Sequence, residues 1–296
     1  MRLDWQMVLL YALCGLALLV VLWPTVNGGR RFLRRWGVKD PTEEQGLLAR
    51  RYLLDRRLLY PPLFIAAPFV TGGDNSFWPP LVLALLLAEI IGTLRPVRGP
   101  RAAILTRRAW GDLVQRWAVV LMLVLGVFAV VLAVAAKFAQ EWGQQVLSTY
   151  PPDGTRMPDS TVISQTADVQ ARVTDPRWLI VIIAVVLATA AVLGIVWLAV
   201  RRGSIADLQV DAALRTRSAR VAVGIGIAFM ATSVGEANRA LSILRGTHWP
   251  VPEPWLLAGT GGLEALTLPL LFIAATGWIW VANPANRMPY VQSTQT

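Results

Sequence analysis

The chain has 296 residues, 55% of them hydrophobic and only 16% charged, with a mean hydropathy of +0.52. Soluble domains carry about 25% charged residues, and here the apolar residues gather in long runs, which excludes an ordinary water-soluble globule and makes lipid the expected solvent. The net charge of +10 reads first as membrane topology and not as nucleic-acid binding, because basic loops stay on the cytoplasmic side.

Histidine and cysteine occur once each, as His248 and Cys14. They allow no internal disulfide and no His/Cys zinc constellation, and the chain has no HExxH or CxxC motif, so neither metal nor cofactor is expected. Lys39 and Lys137 are the two lysines among 28 basic residues. With abundant Ala, Leu, Val, Gly and Pro, this composition suggests a high-GC bacterial genome, so the expected location is a bacterial plasma (inner) membrane.

The first apolar run covers residues 7–23. Only Arg2 precedes it, whereas Arg30, Arg31, Arg34 and Arg35 follow; a cleaved signal peptide has the opposite charge order, so a retained first span is expected. Within 25–57, a cytoplasmic segment, Asp40-Pro41-Thr42-Glu43 reads as a helix start, with Asp40 as N-cap, Pro41 at N1 and Glu43 at N3. This juxtamembrane helix is predicted to run to about Leu59, to stop before Pro61-Pro62, and to pack on the bundle.

The second run, 58–70, is 13 residues long and short of a hydrocarbon core of about 30 Å. Either the helix begins near Leu53, with Arg56 and Arg57 snorkelling and a kink at the Pro pair, or 58–94 forms a re-entrant hairpin. Further runs occupy 77–94, 117–136, 178–200, 221 to about 240, and 255–282. Residues 138–177 read as an external, partly ordered loop.

The expected fold is therefore all-α, a polytopic membrane helix bundle of about seven transmembrane helices in a single membrane domain over 1–296. With the N-terminus outside and the C-terminus cytoplasmic, 21 of the 28 basic residues fall inside, and the reverse orientation would violate the positive-inside bias. Nine tryptophans, among them Trp23, Trp117, Trp178 and Trp197, fall at the ends of these runs, where indole rings favour the headgroup level. The expected partners are the lipid bilayer, anionic lipid headgroups met by the inside arginines, and other membrane proteins.

Three acids lie in apolar runs, Glu89, Glu236 and Glu264. An intramembrane charge is costly unless paired, so these are the default functional suspects. Thr232, Glu236 and Arg239 share one helical face at i, i+4, i+7, beside a seam of small residues, Gly224, Ala228, Ala231 and Gly235. The seventh run repeats the design, with Thr260, Glu264 and Thr267 as polar stripe and Ala258, Gly262, Ala265 and Pro269 as seam. The expectation is that spans six and seven pack together, with Glu264 or Glu236 paired to Arg239 or Arg245. Glu89, nearer the cytoplasm, is expected to draw Arg95 and Arg98 by snorkelling. The leading functional reading is a non-catalytic structural or interaction component of a membrane assembly. A small transporter or channel-like protein using the carboxylates comes next, and an enzyme acting on a lipid-linked substrate third.

Overall fold

The computed structural model describes residues 23–70, 78–94, 110–149, 167–201, 207–241 and 267–283, with isolated positions and residue pairs before and between them. These form nine helices: α1 Val26–Arg35, α2 Glu43–Arg57, α3 Tyr60–Val70, α4 Trp78–Leu94, α5 Arg116–Thr149, α6 Ala167–Thr174, α7 Arg177–Arg201, α8 Leu208–Leu241 and α9 Thr267–Ala282. Among the described residues extended structure is confined to two antiparallel pairs of two-residue segments, 101–102 with 204–205 and 155–156 with 162–163. The architecture is all-α.

Among the described residues three helices, α5, α7 and α8, are long and apolar enough to cross a membrane, fewer than the seven expected. At 34, 25 and 34 residues they measure about 51, 38 and 51 Å. The helices α3, α4 and α9, with 11, 17 and 16 residues, are shorter. The first apolar run lies largely outside the described residues.

Both 34-residue helices outrun their apolar runs. Helix α5 continues through 137–149 and α6 occupies 167–174, so these parts of the expected external loop are helical instead. Lys137 supports the extension, its ammonium 3.5 Å from Glu141 one turn on and 5.6 Å from the Trp178 ring. Helix α8 begins thirteen residues ahead of Val221, the start of its apolar run.

The helix start placed at Asp40-Pro41 lies two residues later. Thr42 is the N-cap, its hydroxyl accepting from the Gln45 amide while the Gln45 side chain accepts from the Thr42 N–H at 2.9 Å. Asp40 instead takes a left-handed φ of 44° in the turn. The capping box wins because its two reciprocal bonds satisfy donors that Asp40 would leave open. Helix α2 ends at Arg57, and the Pro pair falls in the first turn of α3, where missing amide donors cost nothing.

The chain divides into two compact units. The first comprises Met1–Met122, Ala188–Phe229 and Ala275–Thr296, the second Leu123–Leu187 and Met230–Ala274.

In the first unit α1 and α2 form a hairpin with a backbone-on-backbone crossing. A Cβ on Gly29 would collide with the Gly46 carbonyl oxygen, and one on Gly46 would stand 2.7 Å from Arg30 Cγ. The hairpin lays Leu33, Trp36, Val38, Ala49, Tyr52 and Leu53 on Val210, Ala213 and Leu214 of α8, which explains why α8 extends past its apolar run. Asp207 caps α8, accepting from the Gln209 and Val210 amides at 3.1 Å, and its other oxygen accepts from Gln45 Nε2 at 2.5 Å. One glutamine thus joins two helix N-termini. Deeper in the unit, Gly226 admits Met122 of α5 and Val192 of α7, and Gly277 of α9 meets Ile227 of α8. That contact lies outside the two expected seams, and Pro269 of the second seam is exposed. Gly235, assigned to the seam, has no atom within 4 Å of a Cβ position, so it is not where a neighbour comes close.

In the second unit, Gln140 and Gln144 on α5 donate to the Asp175 and Val173 carbonyls at 2.6 and 2.8 Å. Asp175-Pro176 opens α7, Asp175 accepting from the Arg177 amide at 3.1 Å. Gly143 meets Val173, and Gly126 meets Met230 and Val185. Along α5, Val120, Val124, Val127 and Val131 form an exposed apolar stripe opposite buried Ala118, Met122, Leu125, Ala129, Leu132 and Ala136. A stripe of that composition suits lipid.

Substituting Gly29 by Ala is expected to lower stability by about 2 kcal/mol or more, because backbone must yield. The matched Gly194→Ala, where nothing lies within 4 Å of the added carbon, should be neutral or slightly stabilising. Thermal unfolding of the two purified variants in detergent compares them.

Candidate functional site: a buried arginine–glutamate–tyrosine junction

Three helices remote in sequence meet at one charged cluster in the first unit. Glu89 of α4 is 1% exposed, as is Arg56 of α2, and the Arg56 guanidinium is ion-paired with Glu89 Oε2. Arg217 of α8 reaches the other carboxylate oxygen, Nη1 to Oε1 at 3.1 Å, and the same nitrogen donates to the Tyr52 hydroxyl at 3.3 Å. Tyr52 and Ser218 share a hydrogen bond of 2.7 Å. Ser218 also accepts from Arg56 Nη2 at 3.1 Å and donates to the Leu214 carbonyl at 2.9 Å. The Tyr52 ring lies between the two cations, 4.4 Å from the Arg56 guanidinium carbon and 5.5 Å from that of Arg217.

Local sequence explains each placement. Tyr52 and Arg56 are four apart on α2 and so share a face, as do Leu214 and Ser218 on α8. Gly92 opens α4: a Cβ there would stand 2.7 Å from Arg56 Cγ, so only glycine lets the arginine stem lie along this helix. Thr93 binds back to the Glu89 carbonyl at 2.6 Å and accepts from Arg56 at 3.4 Å.

A second buried pair lies one turn earlier on α8. Arg215 Nε donates to Asp211 at 2.6 Å, and its Nη1 donates to the Ala199 and Val200 carbonyls at 3.0 and 3.4 Å. Those are the last carbonyls of α7, which have no partner inside their own helix, and a cation there also meets the negative end of the helix dipole. Arg201 closes the same end by stacking on Trp197 at 4.7 Å.

The junction holds two guanidiniums against one carboxylate, and Tyr52 registers the imbalance. Burial pushes its phenol up, but Arg56 and Arg217, with the hydrogen bonds to Ser218 and Arg217, outweigh that and lower it from 10.0 to about 8. Ionising Tyr52 would neutralise the cluster.

The residues singled out from sequence are distributed differently. Glu236 and Arg239 do pair, at 3.4 Å, but they do so within one helix at i, i+3, with side chains 23% and 57% exposed. Thr232 is half-buried on the same helix. Thr267 is the first residue of α9. Thr260, Glu264 and Arg245 lie outside the described residues, as do Arg95 and Arg98. Among the described residues the partners of Glu89 are Arg56 and Arg217, because α2 and α8 bring guanidiniums to its depth from the side. Sequence reasoning assigned Arg56 and Arg217 to topology and passed over Tyr52 and Ser218. The signal was available: Asp211, Arg215 and Ser218 have the i, i+4, i+7 spacing that drew attention to Thr232, Glu236 and Arg239.

Among the described residues no group of three or more His, Cys, Asp or Glu side chains comes together. A cavity of about 540 Å³ opens between α5 and α6, lined by Gln144, Leu147, Ser148, Gln170, Ala171, Val173 and Thr174. Its lining carries amides and hydroxyls but no acid or base. Compared with known proteins, the chain matches no family model, no curated protein and no solved structure.

Replacing Glu89 by Gln leaves two buried guanidiniums without their anion and is expected to cost about 3–5 kcal/mol, measured by unfolding in detergent. Absorbance titration near 295 nm should show one of the five tyrosines ionising near pH 8, and Tyr52→Phe should remove that step. Because the folded-state value lies below the free phenol's, this group adds stability as pH rises from about 8 and adds it fully above 10. The stability difference between wild type and Tyr52→Phe is therefore expected to widen over that window, by at most roughly 3 kcal/mol.

Proposed function

We propose that this is a seven-span bacterial inner-membrane protein, N-terminus outside, that acts without catalysis as a structural or interaction component of a membrane assembly. The carrying observation is the junction of Arg56, Glu89, Arg217 and Tyr52, which fastens the α1–α2 hairpin to α4 and α8. The hairpin is thereby held as a fixed platform beside the bilayer. Its outward surface carries Arg31, Arg34, Arg35 and Lys39, all exposed. A rigid, cationic, membrane-flanking surface suits an acidic partner or neighbouring subunit, since such charge steers association and sets orientation. The exposed apolar stripes of α5 and α7 suit lipid and neighbouring helices together.

Orientation is tested by cysteine labelling in a Cys14→Ser background. A cysteine at Ser148 is expected to react with a membrane-impermeant maleimide in intact cells, and one at Lys39 only after permeabilisation. The assembly role is tested by purification in mild detergent with cross-linking. Partners should co-purify with wild type and be lost from an Arg31→Glu, Arg34→Glu, Arg35→Glu variant of unchanged thermal stability. A protein that emerges alone, and whose Glu264→Gln variant loses ion flux in vesicles, would overturn this reading in favour of transport.

A further inference from the structure

Charge around the junction does not balance. Arg56 and Arg217 share the single carboxylate of Glu89, and α2 and α8 also carry Arg57 and Arg220, respectively. Arg57 follows Arg56 on α2 and feels Arg217 as a like charge, and Arg220 lies one turn from Arg217 on the same face of α8. Both are half-buried, and among the described residues neither is paired with a carboxylate. Among the described residues Arg56, Arg57, Arg217 and Arg220 thus have one carboxylate, Glu89, as ion-pair partner, and even an ionised Tyr52 leaves a surplus.

The depth of this surplus is set by sequence. Arg57 is the last charged residue before an uncharged stretch over 58–70, and Arg220 is the last before another over 221–235. Both therefore stand where the chain passes from water to apolar surroundings. Burial lowers the pKa of Arg57, Tyr60 partly offsets that, and Arg217 lowers it further. A desolvated cation without an anion is costly, and an arginine fork matches the oxygens of a phosphate in two parallel hydrogen bonds. At the headgroup level phosphate is the abundant anion.

We propose that Arg57, Arg217 and Arg220 form a binding site for a phosphate oxyanion, carried by the headgroup of an anionic phospholipid at the boundary of the bilayer. Arg217 couples the site to the junction, because one of its nitrogens is engaged by Glu89 and Tyr52 while a guanidinium has five N–H donors in all. Occupancy would then stiffen the platform. The site rests on reading α3 and α8 as entering lipid from this boundary, and not on which side it faces or on any assembly partner.

The test uses the full chain purified in detergent, as wild type, Arg57→Gln, Arg220→Gln, the double variant, and Arg51→Gln as an exposed control on the same helix. Phosphatidylglycerol, phosphatidylcholine and inorganic phosphate are added separately, and binding is read by native mass spectrometry and by thermal shift. Wild type and Arg51→Gln are expected to bind phosphatidylglycerol in preference to phosphatidylcholine, with a loss of about fivefold per guanidinium removed and about 25-fold in the double variant. Saturation by inorganic phosphate alone, lost in the same variants, would support the same site with a soluble source. In the absence of any added anion Arg57→Gln should unfold no lower than wild type, since it relieves repulsion; this separates lost binding from lost folding. The proposal is overturned if neither anion binds, if Arg51→Gln loses as much as Arg57→Gln, or if phosphatidylcholine binds equally well. A failed partner search leaves these readings unaffected.

Discussion

Glu89 is held out of water between two arginines, and the arrangement of the first unit depends on that carboxylate. Removing such charges from water costs several kcal/mol apiece, and attraction inside the protein repays it only when geometry is good. The gain is chiefly in specificity. Arg56 and Glu89 are 33 positions apart in sequence and Glu89 and Arg217 are 128 apart, and only one register of α2, α4 and α8 brings all three together. A slip along any of these helices would strand a charge, a penalty larger than that of a shifted leucine in lipid, where apolar contacts discriminate little. Gly92 belongs to the same device, because it clears the track along which the Arg56 stem reaches the acid.

The arginines of this chain therefore do more than orient it. Arg56 and Arg217 lock helices, Arg215 caps the end of α7, and Arg30 and Arg50 donate to the Pro41 and Pro24 carbonyls at 3.0 and 3.1 Å, tying the hairpin to its own loops. Each uses the planar fork of guanidinium, which lysine does not have, and this gives a structural reason for the preference for arginine over lysine beyond base composition. Gln45 completes the layer by serving the capping box of α2 with one atom and the N-cap of α8 with another. The parts flanking the membrane are thus an ordered helical layer built onto α8.

Much of the helical content was legible from the order of apolar runs. Helices α4, α5, α7, α8 and α9 stand on them, because a long apolar segment in lipid must satisfy its own backbone hydrogen bonds. What the runs hid were the polar continuations, 137–149 of α5 and 208–220 of α8, since helix extension beyond the bilayer is decided by tertiary packing and not by hydropathy. The Asp40-Pro41 start was misplaced for a similar reason. Two plausible caps lay two residues apart, and the one with reciprocal bonds prevailed. Of the candidate polar site, the Glu236–Arg239 pairing follows from helical spacing alone, whereas the partners that α2 and α8 bring to Glu89 come from remote sequence.

Composition by itself determined that this is an all-α protein with helices long and apolar enough to cross a membrane, because hydrophobicity and helical period are properties of short stretches of chain. Which guanidinium meets which carboxylate was decided only by tertiary structure. Burial is what turns an arginine from a topological marker into a cation that needs a partner, and burial of the Arg56–Glu89 pair comes from α2, α4 and α8 converging, an event that no local window of sequence contains.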